Sequence, residues 1–221
     1  MAIQEPARIL IAILSKFMPK EEVYAHTKKY YSKNQFELLW SQLQQNFNCL
    51  EASSAGRVLD AVSVLLGFAK NERKSKHEAT YLLEKNSTKP YSDLKPKIII
   101  KKQETRNNDQ KIFNNQYSII NSNMQYILDT TYLFEYIVKN INKDKKRLAA
   151  TAQLYIAEGL HEIIYLKTKN YKLKTILSGG ISNNKIISDY FESKKLLQNK
   201  KSRIARGDAG LSVGQIIHYL I

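Results

Sequence analysis

Apolar residues in the first part of the chain recur at the three- and four-residue spacing of amphipathic helices. A serine, Ser53 or Ser54, precedes one of these stretches and is a natural N-cap. The spacing predicts four helices, over Glu5–Met18, Tyr24–Phe47, Ser53–Gly67 and His77–Lys85. Residues 1–90 are therefore expected to form a mainly helical segment.

The pattern changes after Asn86–Lys97, which carries Pro90 and Pro96 and is typical of a linker. Short apolar, β-prone runs predict strands at Ile98–Ile100, Gln116–Ile120 and Thr175–Leu177. Helical spacing returns over Asp129–Ile141, Leu148–Lys169, Ile181–Leu197 and a C-terminal stretch with Val213 and Leu220, and the lysine-rich Asn142–Arg147 is expected to be a break. Residues 91–221 are thus expected to form an α/β unit.

The stretch Leu173–Asn184, LKTILSGGISNN, combines a predicted strand, the turn Ser178-Gly179-Gly180 and a predicted helix. In this geometry backbone N–H groups at a helix start can face a phosphate or another anion. Glycines let a ligand approach the backbone closely because they carry no Cβ. An ordinary strand-to-helix turn explains the same residues, so the stretch alone leaves both interpretations open.

Two further groups carry possible chemistry. Arg57 and Asp60 lie three residues apart, so they share a face near a helix start, either as a salt bridge or as part of a site. Asp208 lies in the turn Gly207-Asp208-Ala209-Gly210, where it could cap the following helix. The single cysteine, Cys49, lies in a helix-rich segment without an evident base and is expected to be structural.

Composition narrows the possible classes of protein. The chain has 221 residues and a net charge of +15, which suits an anionic ligand or acidic partner as well as nucleic acid. Its lysines are scattered, without the interleaved aromatics of an RNA-binding sheet, so nucleic acid is not the expected partner. No run of 18 apolar residues and no secretory pattern is present, so we expect a cytoplasmic protein without a membrane partner.

Four stretches together resemble a known family: SSAGRVLDAVSVLLG, HEATYLLE, ILSGGISNNKIIS and RGDAGLSVGQ, in that order. They are similar to the C-terminal part of the HypF carbamoyltransferase family of nickel–iron hydrogenase maturation. The resemblance runs from about Glu5 to Gln215 and is weakest across Asn86–Arg147. It implies an α/β fold: the C-terminal lobe of an actin-like ATPase (RNase H-like) fold, shared with the universal tRNA threonylcarbamoyl-transferase subunit, preceded by a mainly helical segment.

The resemblance also implies roles for individual residues. Gly56 and Asp60 would line the ribose pocket of a nucleotide, with Arg57 where the tRNA-modifying relatives carry glutamate. The adenosine and phosphate side would be held by Gly179, Gly180 and Asn184. Asp208 would be a ligand of a divalent metal, iron or zinc. The implied cofactors are therefore ATP or carbamoyl adenylate, with the metal bound only when a partner lobe completes its site.

This chain departs from the family pattern at several points. The family's metal-binding histidine pair lies upstream of the segment that matches Glu5, and the adenylate-forming module also lies outside the resemblance. His77 and Ala209 replace glycines. A complementary N-terminal half that carries the histidines is thus an expected partner, and a split enzyme, a truncated gene and a relic all remain open.

The whole enzyme, as the resemblance implies, passes a carbamoyl group from carbamoyl adenylate to the C-terminal cysteine of HypE. This chain would be a partial carbamoyltransferase that is incomplete alone. Two alternatives remain: a non-catalytic subunit of a maturation complex, and a relative of the tRNA threonylcarbamoyl-adenosine enzymes. Arg57 and the DAGLS ending favour the HypF pattern over the second alternative.

Overall fold

The structure is a computed structural model that describes residues 4–75, 77–102, 124–168, 177 and 179–196. Several predicted elements lie outside these residues, namely the strand at Gln116–Ile120, nearly all of the strand at Thr175–Leu177 and the C-terminal helix. Asp208 lies outside them too. Within the described part of the chain, no helix is both long and apolar enough to cross a membrane.

The first segment is helical, as predicted, but it is more finely divided. Helix α1 spans Pro6–Leu14, α2 spans Lys20–Thr27 and α3 spans Lys33–Gln44. The prediction of one continuous helix over Tyr24–Phe47 is therefore wrong. Ser32 starts a new helix because its side chain accepts from the backbone N–H of Gln35, while the Gln35 side chain accepts from the backbone of Ser32.

The next two helices agree with the predicted pattern. Helix α4 spans Ala55–Leu66 and ends at Gly67, whose φ of 83° is the left-handed conformation that glycine adopts readily. Ser54 stands at the N-cap position of α4, although its side chain makes no capping hydrogen bond there. Helix α5 spans Glu78–Lys85 and packs against α4.

A two-stranded antiparallel sheet follows the linker. Strand β1, Ile98–Lys102, pairs with β2, Met124–Leu128, so that Ile98 lies opposite Leu128 and Lys102 opposite Met124. The sequence predicts β1 but not β2. Tyr155 anchors the base of this hairpin, because its hydroxyl donates to the carbonyl of Asp129 at 2.7 Å and accepts from the N–H of Lys97 at 3.2 Å.

Helix α6 spans Thr130–Lys139 and α7 spans Lys145–Thr168. The predicted break at Asn142–Arg147 is shorter than expected, because a carboxylate oxygen of Asp144 accepts from the N–H groups of Lys146 and Arg147 and so starts α7 early. After the diglycine, a 3-10 helix at Gly180–Asn183 precedes α8, Lys185–Ser193. The single helix predicted over Ile181–Leu197 is therefore two elements.

The hydrophobic core lies where α4 packs against α1 and α7, and α7 packs against α8. Its largest fully buried side chains include Leu10, Leu59, Phe134, Tyr155 and Phe191. Gly159 lets α7 approach the sheet closely, since a Cβ there would lie 2.4 Å from a methyl group of Leu128. This core holds the first turn of α4, α5 and the start of α8 in fixed positions, and those three places carry the polar residues described next.

Candidate functional site

The second turn of α4 carries a buried carboxylate, Asp60, whose side chain is only 1% exposed. Its Oδ2 lies 3.2 Å from Nη1 of Arg57 and 3.4 Å from Nη1 of Arg73, and its Oδ1 accepts from the Thr80 hydroxyl at 2.8 Å. We call these residues, Asp60, Arg57, Arg73 and Thr80, the Asp60 centre. The spacing left a salt bridge between Arg57 and Asp60 open, and the structure contains it, with a buried carboxylate and a partly exposed guanidinium.

The three charged side chains of the Asp60 centre differ in their exposure. Asp60 and Arg73 are enclosed, at 1% and 5%, whereas the Arg57 side chain is 22% exposed. Burial lowers the pKa of Arg73, and the neighbouring Asp60 carboxylate opposes that shift. Arg57 is therefore the charged member of the centre that solvent, or a ligand, reaches most readily.

Gly56 stands at the first turn of α4, beside this centre. A Cβ at this position would make only an ordinary contact, 3.7 Å from Oγ of Ser54. Packing within the described residues therefore gives no steric reason for a glycine here. Its assignment to a ribose pocket stays a prediction.

The diglycine turn is conformationally demanding at its first residue. Gly179 has φ 83° and ψ 178°, a region that only glycine occupies without strain, and a Cβ there would meet nothing within 4 Å. Gly180 differs, because a Cβ there would lie 3.3 Å from Cε1 of the exposed His77. The imidazole of His77 thus lies beside the turn, and the 3-10 helix that follows packs against α4 and α8.

A second group of buried polar side chains lies at the start of α8. Asn184 is 3% exposed; its Oδ1 accepts from the N–H of Ile187, and its Nδ2 donates to Oε1 of Gln153 at 2.6 Å and to Oε2 of Glu84 at 3.3 Å. Oε1 of Glu84 accepts from the N–H of Lys185 at 2.9 Å, and Nε2 of Gln153 donates to the Ser87 hydroxyl at 2.6 Å. We call these residues, Asn184, Glu84, Gln153 and Ser87, the Asn184 centre.

The Asn184 centre changes what the start of α8 offers to an anion. The sequence predicted that the first backbone N–H groups of this helix would be free to donate to a phosphate. Here the N–H groups of Lys185 and Ile187 already donate to Glu84 and Asn184. Among the predicted site residues that the structure describes, Asp60 and Asn184 are buried, whereas Gly56, Arg57 and the diglycine turn are at least partly exposed.

Sequence reasoning identified Arg57, Asp60 and Asn184 but missed Arg73, Thr80, Glu84 and Gln153. Thr80 and Glu84 had a signal, since residues four apart on α5 share one face. Arg73 lies in a basic loop without periodicity, and only the folded chain brings it to Asp60. Within the described residues, no group of three or more histidine, cysteine, aspartate or glutamate side chains could hold a metal. The metal-ligand prediction for Asp208 lies outside those residues.

Comparison with known proteins identifies clear relatives. Residues 1–215 match the family described as "Carbamoyltransferase, Kae1-like Domain, second subdomain". The chain is 33% identical over 237 aligned residues to the probable carbamoyltransferase HypF of Methanocaldococcus jannaschii, and the match covers all of this chain but 27% of that protein. The chain thus spans about a quarter of the length of this relative.

Two solved structures are similar in fold. A crystal structure of T. kodakarensis HypF matches 99% of this chain and 28% of that one, with 25% sequence identity and a TM-score of 0.70. Full-length HypF in its phosphate- and nucleotide-bound form matches 97% of this chain and 31% of that one, with 19% identity and a TM-score of 0.70. The actin-like, Kae1-like fold class predicted from the sequence is therefore confirmed.

Proposed function

The chain belongs to the HypF carbamoyltransferase family, and on this premise we propose that it is the C-terminal part of an enzyme that transfers a carbamoyl group from carbamoyl adenylate to the C-terminal cysteine of a HypE-like protein. In this reaction the cysteine thiolate forms a bond to the carbamoyl carbon, the bond from that carbon to the phosphate oxygen breaks, and AMP leaves. The product would serve cyanide-ligand synthesis in nickel–iron hydrogenase maturation.

The observation that carries this proposal is the Arg57 guanidinium, which the buried Asp60 carboxylate holds at the start of α4. A fixed, partly exposed cation suits an anionic ligand, because little side-chain entropy remains to be lost on binding. The 3-10 helix that follows the diglycine turn packs against this helix. Arg57 would thus approach the phosphate side of ATP or carbamoyl adenylate.

The other residues would act around this cation. Gly56 would line the ribose side, and the enclosed Asp60 would act behind it by holding the Arg57 guanidinium in place. Gly179 and Gly180 would let the ligand approach the backbone, and Asn184 would hold α8 behind them. A related full-length HypF was solved in a phosphate- and nucleotide-bound form, which supports a nucleotide as the ligand class.

The metal part of the proposal concerns Asp208 alone in this chain. The carboxylate would be one ligand of an iron or zinc ion, completed by histidines of a complementary N-terminal region. When bound, such an ion would polarise the carbamoyl carbonyl. A tight transition-metal site needs three or more protein ligands, so we expect substoichiometric metal in this chain alone.

The first experiment measures binding of a non-hydrolysable ATP analogue by titration calorimetry. Arg57→Ala should weaken binding by about 1.5–3 kcal/mol, the scale of a lost hydrogen bond to a charged group. Lys28→Ala is the matched control, because it removes one exposed positive charge just after α2. Equal affinity of both variants and the original chain would reject Arg57 as a ligand contact.

The second experiment tests the reaction. The chain is mixed with a HypE-like protein and with a protein that carries the complementary N-terminal region. Carbamoyl phosphate and ATP are added as the source of carbamoyl adenylate, and the HypE cysteine is examined by mass spectrometry. Carbamoylation should require all three proteins, and Cys49→Ser should leave it nearly intact. A chain that binds no nucleotide but still retains the HypE-like protein would support a non-catalytic subunit instead.

A further inference from the structure

Helix α5 presents polar residues along one face. His77 immediately precedes the helix, and Thr80, Glu84 and Ser87 follow at steps of three, four and three residues. Residues at this spacing lie on the same side of a helix. Thr80 and Glu84 lie about one turn apart within α5, His77 stands at its N-cap, and Ser87 lies two residues after its last residue.

Each residue of this face contacts a different part of the candidate site. Thr80 donates to Asp60 of α4 at 2.8 Å, and Glu84 accepts from the backbone of Lys185 at the start of α8 at 2.9 Å. His77 lies beside Gly180 of the diglycine turn. Ser87 accepts from Gln153 of α7 at 2.6 Å. The Asp60 centre and the Asn184 centre are thus joined through a single short helix.

The apolar side of α5 fixes this helix in place. Ala79 and Leu83 are 1% and 0% exposed and belong to the main hydrophobic core. Packed core side chains resist rotation, because a shifted helix would open cavities around them. The separation of Thr80 and Glu84 is set by one turn of helix, so it is a fixed distance between the two centres.

We propose that α5 is a positioning element that couples the two sides of the candidate nucleotide site, with Thr80 and Glu84 as its positioning residues. Thr80 fixes the Asp60 carboxylate and, through it, Arg57. Glu84 fixes the start of α8 and the turn before it. A change at either residue therefore alters the ordering of the other centre. The nucleotide part of this inference rests on the proposed function, whereas the coupling itself does not.

The test measures amide hydrogen exchange in the whole chain without ligand. The variants are Thr80→Val and Glu84→Gln, each nearly isosteric. Thr80→Val should speed amide exchange in α8 by about fivefold or more, which is the lower end of typical coupling between two sites. This result would be informative because the Thr80 hydroxyl donates its hydrogen bond to Asp60 of α4 and not to α8. Glu84→Gln should do the same at the first turn of α4. Lys85→Ala, an exposed change on the same helix, is the control.

Thr80→Ser supplies the rescue, because it keeps the hydroxyl group and loses only a methyl group. It should restore slow exchange in α8, and it remains informative if Thr80→Val unfolds. Exchange that changes only in the helix each residue contacts would overturn the proposal. Titration of the whole chain with the ATP analogue tests the proposed function separately. If the original chain binds no analogue, the proposed function fails, while the exchange data still decide the coupling.

Discussion

The Asp60 centre and the Asn184 centre both bury polar side chains near the start of a helix, but the first pairs them mainly by charge and the second mainly by neutral hydrogen bonds. The Asp60 centre places one carboxylate among two guanidinium groups and a hydroxyl group. The Asn184 centre relies on two amide side chains and a serine, with Glu84 as its formal charge. A charge enclosed by counter-charges depends strongly on each partner, whereas neutral amides lose one hydrogen bond at a time.

The largest effect is expected for Asp60→Ala. Removing the carboxylate leaves Arg73 enclosed without its counter-charge at Asp60, and breaking a buried ion pair in this way costs about 3–5 kcal/mol. Urea unfolding measures the loss in free energy of unfolding. Asp189→Ala is the control, because its pair with Lys185 is exposed and screened by solvent, so its loss should change the free energy of unfolding little. Similar losses in both variants would show that burial does not strengthen the Asp60 centre.

Asn184→Asp is the matching change in the other centre. The carboxylate still caps α8 through the N–H of Ile187, but the Nδ2 donor to Gln153 and Glu84 is lost and two carboxylates face each other. We expect a loss of about 2–3 kcal/mol in the free energy of unfolding at neutral pH.

A companion variant separates the two causes. Asn184→Ser keeps a capping oxygen without adding charge, so it should lose less than Asn184→Asp. A loss at least as large in Asn184→Ser would mean that the lost donor, and not the repulsion from Glu84, dominates. That result would make the Asn184 centre less sensitive to charge than the Asp60 centre.

A substitution in the diglycine turn should change the free energy of unfolding by a smaller amount. Gly179→Ala should cost about 1–3 kcal/mol of unfolding free energy, because a non-glycine residue is strained at φ 83° and ψ 178°. Gly180→Ala is the control, since its Cβ would meet only the side chain of the exposed His77, which can move. Thermal unfolding of both variants checks this order. Equal losses would show that contact with His77, rather than backbone strain, controls the turn.

The two centres also differ in how far sequence predicts them. Arg57 and Asp60 are three residues apart on one helix, so local spacing is enough to pair them. Glu84, Gln153 and Asn184 are separated by dozens of residues, and periodicity carries no information about which helix faces which. The same limit explains the missed Arg73. The missed start of α3 is different, because its capping signal, Ser32 with Gln35, is local and was available in the sequence.

The start of α8 shows the same limit at the level of function. A glycine turn followed by a helix predicts an anion site from local geometry alone. The internal carboxylate that occupies part of this geometry comes from residue 84, and only the folded chain brings it there. The diglycine anion site therefore stays a prediction, and local geometry alone leaves open which groups in this region face a ligand.

The smallest expected effect concerns a titrating side chain at the contact between α7 and α8. Nδ1 of His161 on α7 lies 2.9 Å from the Tyr190 hydroxyl of α8. Burial lowers the pKa of His161, and the positive charge of Lys194 lowers it further. Glu158 and Glu162 oppose this shift. A lowered pKa in the folded state means that the unfolded chain binds the proton more readily, so stability falls as pH decreases through about 6.5, the ordinary histidine value, and below.

His161→Gln removes this titration while keeping polar atoms near Tyr190. Between pH 7 and pH 5, the free energy of unfolding should therefore fall less in His161→Gln than in the original chain. The difference between the two proteins is the informative quantity, because burial also lowers the pKa of His26, which titrates equally in both. Parallel pH profiles would mean that the α7–α8 contact is indifferent to protonation. A steeper fall in the variant would reverse the assigned sign.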